Sequence, residues 1–267
     1  MADESLARGA VSFEQAFSDV ERSAQAAVKA GGQIVSAARQ LQKAAQEGDI
    51  TKIRKASERL GGATTSARQD IANAREAWPF KDDQEKEYFA SDYSRELREE
   101  ADREGLSIYE RDARLLAYPS ILQILPNDLA VRVDRKRVSA IRPTHLVRLL
   151  LASQNKKPRF PVERFVETLF NSYKTIEHDW TLGPTVKLAR IYDALTLLPG
   201  SSNDYSKSDF SRDIFMVDQS GVSRTRSGHR MALPASTATR GSKSDLFTFV
   251  APDGEIATYY GLRFTEG

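Results

Sequence analysis

Two runs of apolar and small residues, joined at a glycine, constrain the fold of this 267-residue chain more than any other feature. In each run these residues follow one another at alternating steps of four and three. The first run is Phe13, Phe17, Val20, Ala24, Ala27, Gly31, Ile34, Ala38, Leu41 and Ala45, and the second is Ile50, Ile53, Ser57, Leu60, Thr64, Ala67, Ile71, Ala74 and Trp78. Such spacing is typical of a helix that packs along a narrow seam against another helix.

The residues between the two runs predict a tight turn. Gly48 can end the first helix in the left-handed conformation, and Asp49 can cap the second. We therefore expect two antiparallel helices over residues 12–46 and 49–77, in which Phe17 lies near Trp78.

In this hairpin Gly31-Gly32 and Gly61-Gly62 fall at nearly the same height, which predicts a close approach of the two backbones. The residues predicted to form the interface are Phe13, Phe17, Gly31, Ile34, Leu41, Leu60, Gly62 and Trp78. The functional interpretation is a protruding arm for oligomerisation or docking to a protein partner, and the alternative is a pair of ordinary helices packed on the body of the protein.

The charges of the chain are separated along its length, although the net charge is only +2. Residues 132–164 contain ten Lys and Arg and two acids, whereas residues 82–112 contain twelve acids and five bases. Such segregation points to an anionic partner for the middle of the chain.

The acidic segment is predicted to be a helical connector over residues 81–118. A charged helix from Lys81 to Glu104 carries four apolar residues on one side, and Gly105 ends it. A capping-box pattern at Ser107 and Glu110 then predicts a second helix that continues to Tyr118. Those four apolar residues are Tyr88, Phe89, Tyr93 and Leu97.

The basic middle of the chain begins with an alternating stretch, residues 129–138, that fits a strand or an edge ribbon. Prolines at 143, 161 and 184 then start three short helices. The first of these is expected to bury His145, Leu146, Leu149 and Leu150. Three such helices have the architecture of a trihelical, winged-helix-like core.

Arginine and lysine on one face would neutralise phosphates and release counterions. We therefore predict contact with nucleic acid, as a non-specific duplex binder, or else a solvated basic face or protein-docking surface. The candidate nucleic-acid-binding residues are Arg132, Arg135, Lys136, Arg137, Arg142, Lys156, Lys157, Arg159, Arg224 and Arg226.

The last part of the chain mixes loops with β-structure. Residues 199–210 are predicted to be a linker and residues 213–218 a short strand. Residues 220–244 contain five bases and no acid, which predicts a mobile basic loop or an arm that orders on a polyanion. Residues 246–250 and 255–260 flank a Pro252-Asp-Gly turn and predict a β-hairpin, either a wing or part of a small sheet with strands near 131 and 214.

Composition excludes several classes of function. The chain has no cysteine, so disulfides, thiolate metal sites and cysteine nucleophiles are ruled out. The first residues resemble no signal peptide, and the longest apolar run is too short for a membrane span, so we expect a cytoplasmic protein. His178-Asp179 is the only metal-like dipeptide, and no cofactor or metal is predicted.

Together these patterns predict a mainly α chain with a small C-terminal β element (α+β). It would comprise a coiled-coil-like hairpin (1–80), an acidic connector (81–118), a basic helical domain (119–200) and a loop-rich segment ending in a β-hairpin (201–267). The predicted function is that of a non-enzymatic accessory protein which docks or oligomerises through the hairpin and contacts nucleic acid. The alternatives are a protein–protein adaptor without nucleic-acid contact and an enzyme with an unrecognised site.

Overall fold

The computed structural model describes residues 11–157, 159–177, 182–234 and 246–267. Helices make up about 58% of it, and the strands are antiparallel, which confirms a mainly α chain with some β-structure. The described residues form two compact units. One comprises the residues up to Leu97 together with Arg142–Thr144, and the other comprises Arg98–Ile141 and the residues from His145 onwards.

The first unit contains the predicted hairpin, formed by helices α1 (Phe13–Glu47) and α2 (Ile50–Glu76). Gly48 adopts a left-handed conformation with φ of 72°, and the Asp49 side chain accepts a hydrogen bond from the Lys52 amide. Both caps were predicted and are confirmed. The antiparallel pairing is confirmed too, since the ring centroids of Phe17 and Trp78 lie 5.0 Å apart.

The seam between α1 and α2 differs from the predicted one at every second position. The buried alanines of α1, and Ala56 on α2, lie one position before predicted residues. Ala67 and the half-buried Ile34, Leu41 and Leu60 keep their expected places. The fully buried seam residues are Ala16, Ala30, Ala37 and Ala44 on α1, and Ala56 and Ala67 on α2. On α1, Ala30, Ala37 and Ala44 recur every seven residues and fit against α2, so the adjacent apolar stripe is left outside.

The predicted close approach at the glycines is therefore wrong. A Cβ atom added to Gly31 or Gly62 would meet no atom within 4 Å, and Gly62 is exposed. These two glycines are not part of the seam, whereas Phe13, Phe17 and Trp78 pack together at its base.

A buried carboxylate holds the base of the hairpin. Glu96 lies in α4 (Tyr93–Arg103), which follows α3 (Asp82–Ser91). Its side chain accepts hydrogen bonds from the amides of Phe13 and Glu14, at 3.2 and 2.7 Å, and from the Tyr88 hydroxyl at 2.9 Å. The first amides of α1 have no partner within the helix, so Glu96 caps it from a distant part of the chain. Burial, with the nearby Glu96 charge, raises the pKa of Tyr88.

In the second unit a five-stranded antiparallel meander replaces the helix predicted after Ser107. Its strands are β1 (Tyr109–Arg111), β2 (Arg114–Ala117), β3 (Ser120–Leu125), β4 (Ala130–Val133) and β5 (Lys136–Val138). The helix prediction fails because Asp112 and Ala113 both have positive φ, which makes a tight hairpin turn at the middle of the predicted helix. The strand expected over 129–138 is a ribbon of two strands, β4 and β5.

The proline-started helices are α5 (Pro143–Gln154) and α6 (Val162–Ile176), as expected. The third differs, because strand β6 (Val186–Lys187) precedes helix α7 (Leu188–Leu195). In α5, Leu146 and Leu150 are buried as predicted, but His145 is exposed and Leu149 is 37% exposed. A five-stranded sheet before these helices lends no support to a winged-helix-like arrangement.

The segment predicted as a linker and a strand is helical. A single turn, α8 (Ser201–Asp204), is followed by α9 (Lys207–Ser220). The strand prediction at 213–218 is wrong because Ser206 and Asp209 form a capping box that starts a helix, and Gly221 ends it with φ of 71°. Asp213, Ile214 and Phe215 are buried within this helix.

The C-terminal hairpin is confirmed as strands β8 (Phe247–Val250) and β9 (Ile256–Tyr259), paired antiparallel around the Pro252-Asp-Gly turn. It forms a two-stranded sheet rather than joining strands near 131 and 214. Strand β10 (Gly261–Thr265) instead lies between β6 and β7 (Arg230–Ala232). None of the described helices combines the length and apolarity needed to cross a bilayer.

Replacing Glu96 tests its role as the remote cap of α1. Glu96→Ala leaves two amides and a buried hydroxyl without their acceptor, so we expect the free energy of unfolding to fall by about 3 kcal/mol. Glu96→Gln keeps one acceptor oxygen and should cost less. Urea unfolding monitored by circular dichroism measures both. Glu87→Ala, an exposed position on α3, is the control, and an equal loss there would contradict the role of Glu96.

Replacing Gly254 by alanine tests how tightly the C-terminal turn packs against the meander. Its φ is 81°, and an added Cβ would lie 2.5 Å from the Tyr109 ring. We expect Gly254→Ala to lower the free energy of unfolding by more than about 2 kcal/mol, since the clash adds to the conformational cost. Gly221→Ala has a similar φ of 71° and open space around it, so it measures the conformational cost alone. If both variants lose the same free energy of unfolding in urea, the Tyr109 ring moves aside without lowering stability.

Candidate polyanion-binding face of the five-stranded sheet

Four arginines and one glutamine form a row across all five strands of the meander. The register pairs Arg111 with Arg114, Gln123 with Arg132, and Arg132 with Arg137. Because Leu115 is opposite Leu122, the next step along β2 and β3 places Arg114 opposite Gln123. Directly paired residues of neighbouring strands point to the same side of a sheet, so the whole row shares one face.

The row is exposed along its whole length, with every member on the solvent side of its strand. Adjacent strands lie about 4.8 Å apart, which gives a row about 19 Å long across five strands. Like charges placed directly opposite each other destabilise a sheet. The Arg111–Arg114 and Arg132–Arg137 pairs are therefore costly for folding, and only Gln123 separates the two pairs.

The arginines differ in how firmly they are held. The Arg132 guanidinium donates to the Gln123 side chain at 3.0 Å, and the Arg137 guanidinium donates to the Asp128 carbonyl at 3.1 Å. Arg111 forms an ion pair with Glu255 at 2.9 Å. Among the described residues the Arg114 guanidinium has no hydrogen bond or ion pair.

The Arg111–Glu255 pair joins the first strand to the turn of the C-terminal hairpin. The hydrogen bond and the charge of Glu255 raise the pKa of Arg111, and the same contact lowers the pKa of Glu255. Both side chains remain exposed, at 49% and 66%. The carboxylate therefore neutralises one end of the row without burying it.

The turn between β4 and β5 fixes which side chains of the ribbon share the face. Asp134 has φ of 54°, and its carboxylate accepts hydrogen bonds from the Ile121 amide at 3.0 Å and from the Ser208 hydroxyl at 3.2 Å. Burial raises the pKa of Asp134, although these hydrogen bonds oppose the shift. The turn places Arg132 opposite Arg137 and turns Lys136 to the other side.

The sequence-predicted basic residues are thus only partly brought together. Arg132 and Arg137 lie on the face, Arg135 is exposed in the turn beside it, and Lys136 pairs with Val133 on the opposite side of the sheet. Lys157 is exposed in the loop after α5.

Three other predicted residues are engaged in structural contacts. Arg142 belongs to the first unit, where it pairs with Glu14 at 2.7 Å and Glu21 at 2.6 Å, and these hydrogen bonds raise its pKa. Lys156 forms an ion pair with Asp209 in the first turn of α9. Burial raises the pKa of that carboxyl, but the hydrogen bonds from Lys156 and Ser206 together outweigh burial, and the pKa is lowered. Arg159 donates to the Asp204 carbonyl, at the end of α8.

Arg224 and Arg226 lie in a tight, ordered turn rather than in a long loop. Arg224 forms an isolated bridge with Arg230, and the Thr225 amide donates to the His229 carbonyl at 2.9 Å. Both arginines are exposed. The remaining part of the predicted basic loop, with Arg240 and Lys243, lies outside the described residues.

Sequence reasoning missed Arg111 and Arg114, because they fall in the segment interpreted as acidic and helical. A signal was present in the apolar and aromatic residues of 115–125, which are dense and lack the spacing of an amphipathic helix. The Asp112-Ala113 turn has no glycine or asparagine to mark it, so the first hairpin carried no conventional turn signal.

The described part of the chain contains no cluster of three or more histidine, aspartate or glutamate side chains that could hold a metal ion. His145 is exposed, and His229 stacks on Phe170 with ring centroids 4.6 Å apart. The His178-Asp179 dipeptide lies outside the described residues. Asp253 caps the Glu255 amide, and Glu255 pairs with Arg111, so these two carboxylates have structural partners.

No protein-family model, no curated protein and no solved structure matches this chain.

Proposed function

We propose that this protein is a non-enzymatic accessory factor that binds the phosphate backbone of nucleic acid through the exposed face of its meander. The observation that carries the proposal is the row of Arg111, Arg114, Arg132 and Arg137 on one face. The sheet bears an electrostatic cost to keep these side chains adjacent, and an anionic ligand removes it.

The chemistry of the row favours backbone contact over base recognition. Arginine matches the geometry of phosphate by forming two parallel hydrogen bonds, and each neutralised phosphate releases condensed counterions. Double-stranded DNA carries a charge for about every 1.7 Å of its axis, so a row about 19 Å long can follow several phosphates. The row itself contains no aromatic side chain on which a base could stack, and this favours contact with a duplex backbone over binding to a single strand.

Removing two arginines of the row should weaken binding in a salt-dependent way. We expect Arg132→Ala/Arg137→Ala to reduce the slope of log affinity against log salt by about 1.8 on duplex DNA, at about 0.9 per lost contact. Fluorescence anisotropy at several salt concentrations measures the slope.

The matched control is Lys136→Ala/Lys157→Ala, which removes the same charge outside the face. Its slope should equal that of the wild type. Equal loss in both variants would reduce the effect to net charge, and a wild type that does not bind at low salt would reject nucleic-acid binding and favour the adaptor alternative.

Glu255 provides the complementary experiment, a gain of binding. Glu255→Gln frees the Arg111 guanidinium from its ion pair and makes a further counterion available for release on binding. We expect the salt slope to increase by up to about 0.9 and affinity at low salt to rise. Asp253→Asn, a neighbouring carboxylate that pairs with no arginine of the row, controls for the change in net charge. A slope that rises equally in both variants would show that Arg111 takes no part.

A further inference from the structure

Among the described residues, one apolar face of the α1–α2 hairpin is left exposed. Four large aliphatic side chains are exposed there: Val28 by 77%, Val35 by 50%, Ile50 by 67% and Ile71 by 49%. Single exposed aliphatic residues are ordinary, but four on one side of a hairpin are of the kind that marks an interface.

These residues lie on the same side of the hairpin. Val28, Val35 and Ile71 each follow a half-buried seam position by one residue, and Ile50 lies 21 residues, or three heptads, before Ile71 on the same stripe. One step along a helix turns the side chain by about 100°. Because α1 and α2 run in opposite directions, this rotation has opposite sense when both are viewed from one end. The two exposed stripes therefore meet on one face of the pair instead of on opposite faces.

The centre of this face is flat. Small residues occupy it at matching heights, with Gly31 beside Thr64 and Ala38 beside Ser57, as the Phe17–Trp78 contact sets the register. A Cβ added to Gly31 or Gly61 would meet no atom within 4 Å. A flat strip of small residues admits another helix at short distance, and the aliphatic residues beside it supply apolar area.

The two edges of the face differ in charge. The α2 edge carries Arg54, Arg68 and Arg75, whereas the α1 edge carries one acid, Glu21, whose side chain is 53% exposed and already pairs with Arg142 at 2.6 Å. A second hairpin that places its α2 against the first α1 brings Arg75 to the height of Glu21. Stacking α2 on α2 would instead oppose two rows of arginine, so charge selects the α1-on-α2 arrangement.

The area also fits a second copy. The face extends from residue 24 to residue 45 of α1, about 32 Å, and two adjacent helices are about 18 Å wide. About 600 Å² per copy, or 1,200 Å² in total, would be buried, which is at the lower end of the range for specific protein interfaces.

We propose that this face pairs with the same face of a second copy of the chain, forming a four-helix bundle in which α1 of each copy packs on α2 of the other. A two-fold axis parallel to the helices relates the copies, so every contact occurs twice. The surface is distinct from the arginine row, and its test is independent of nucleic-acid binding.

Charge placed in the middle of the face should separate the copies. We expect the wild type to sediment at twice its mass of 29.8 kDa at micromolar concentration, and Val28→Glu/Val35→Glu to sediment as a monomer with an unchanged circular dichroism spectrum. Ala26→Glu/Gln33→Glu, at exposed positions on the opposite side of α1, should remain dimeric. A monomeric wild type at 100 times that concentration, or a dimeric Val28→Glu/Val35→Glu variant, would overturn the proposal.

Disulfide trapping reports which helices of the two copies face each other. Introduced cysteines can pair only with one another, because the chain has no cysteine of its own. A mixture of Gly31→Cys and Thr64→Cys chains should oxidise to a covalent dimer, since residue 31 of one copy faces residue 64 of the other. Neither variant should cross-link efficiently alone. Efficient trapping of Gly31→Cys with itself would mean that α1 packs on α1, and it would overturn the proposed arrangement, as would the absence of any trapped dimer in the mixture.

Discussion

Strand register in the meander is the constraint on which the candidate binding face depends. A slip of one residue moves every side chain of a strand to the other side of the sheet. In the β4–β5 ribbon such a slip would place Lys136 or Val138 opposite Arg132 instead of Arg137. Asp134 opposes the slip, because its half-buried carboxylate accepts hydrogen bonds from Ile121 on β3 and from Ser208 at the start of α9. The hydrogen bonds of Asp134 thus help to determine which charged side chains lie on the face.

The arginine row and the apolar face of the hairpin have the same physical character. Each is a surface that the folded monomer leaves unsatisfied, one through adjacent like charges and the other through exposed aliphatic side chains. Stability alone would favour opposite charges across the sheet and polar residues on the hairpin. A ligand or partner that covers such a surface gains the free energy that the surface costs the monomer. The arginine row and the apolar face lie on separate compact units.

The sequence predicted what local rules control. The 4–3 spacing, the Gly48 cap and the Asp49 cap gave both helices of the hairpin and their register, and Pro252-Asp-Gly gave the C-terminal turn. Local rules could not choose between two adjacent apolar stripes on α1, because that choice depends on how alanines fit against the partner helix. They also failed at Asp112 and Ala113, where a turn forms without glycine, so Arg111 and Arg114 were assigned to a helix and missed.

The contact between Arg111 and Glu255 also bears on the order in which the chain folds. It joins residues 144 positions apart, and Tyr109 meets Gly254 beside it. The hairpin of the first unit is made of contacts that are local in sequence and can form quickly, even on a growing chain. The meander cannot acquire its last neighbours until Gly254 and Glu255 have left the ribosome. Its exposed strands must therefore remain soluble during synthesis, and the charges that crowd β1, β2, β4 and β5 discourage edge-to-edge aggregation in that interval.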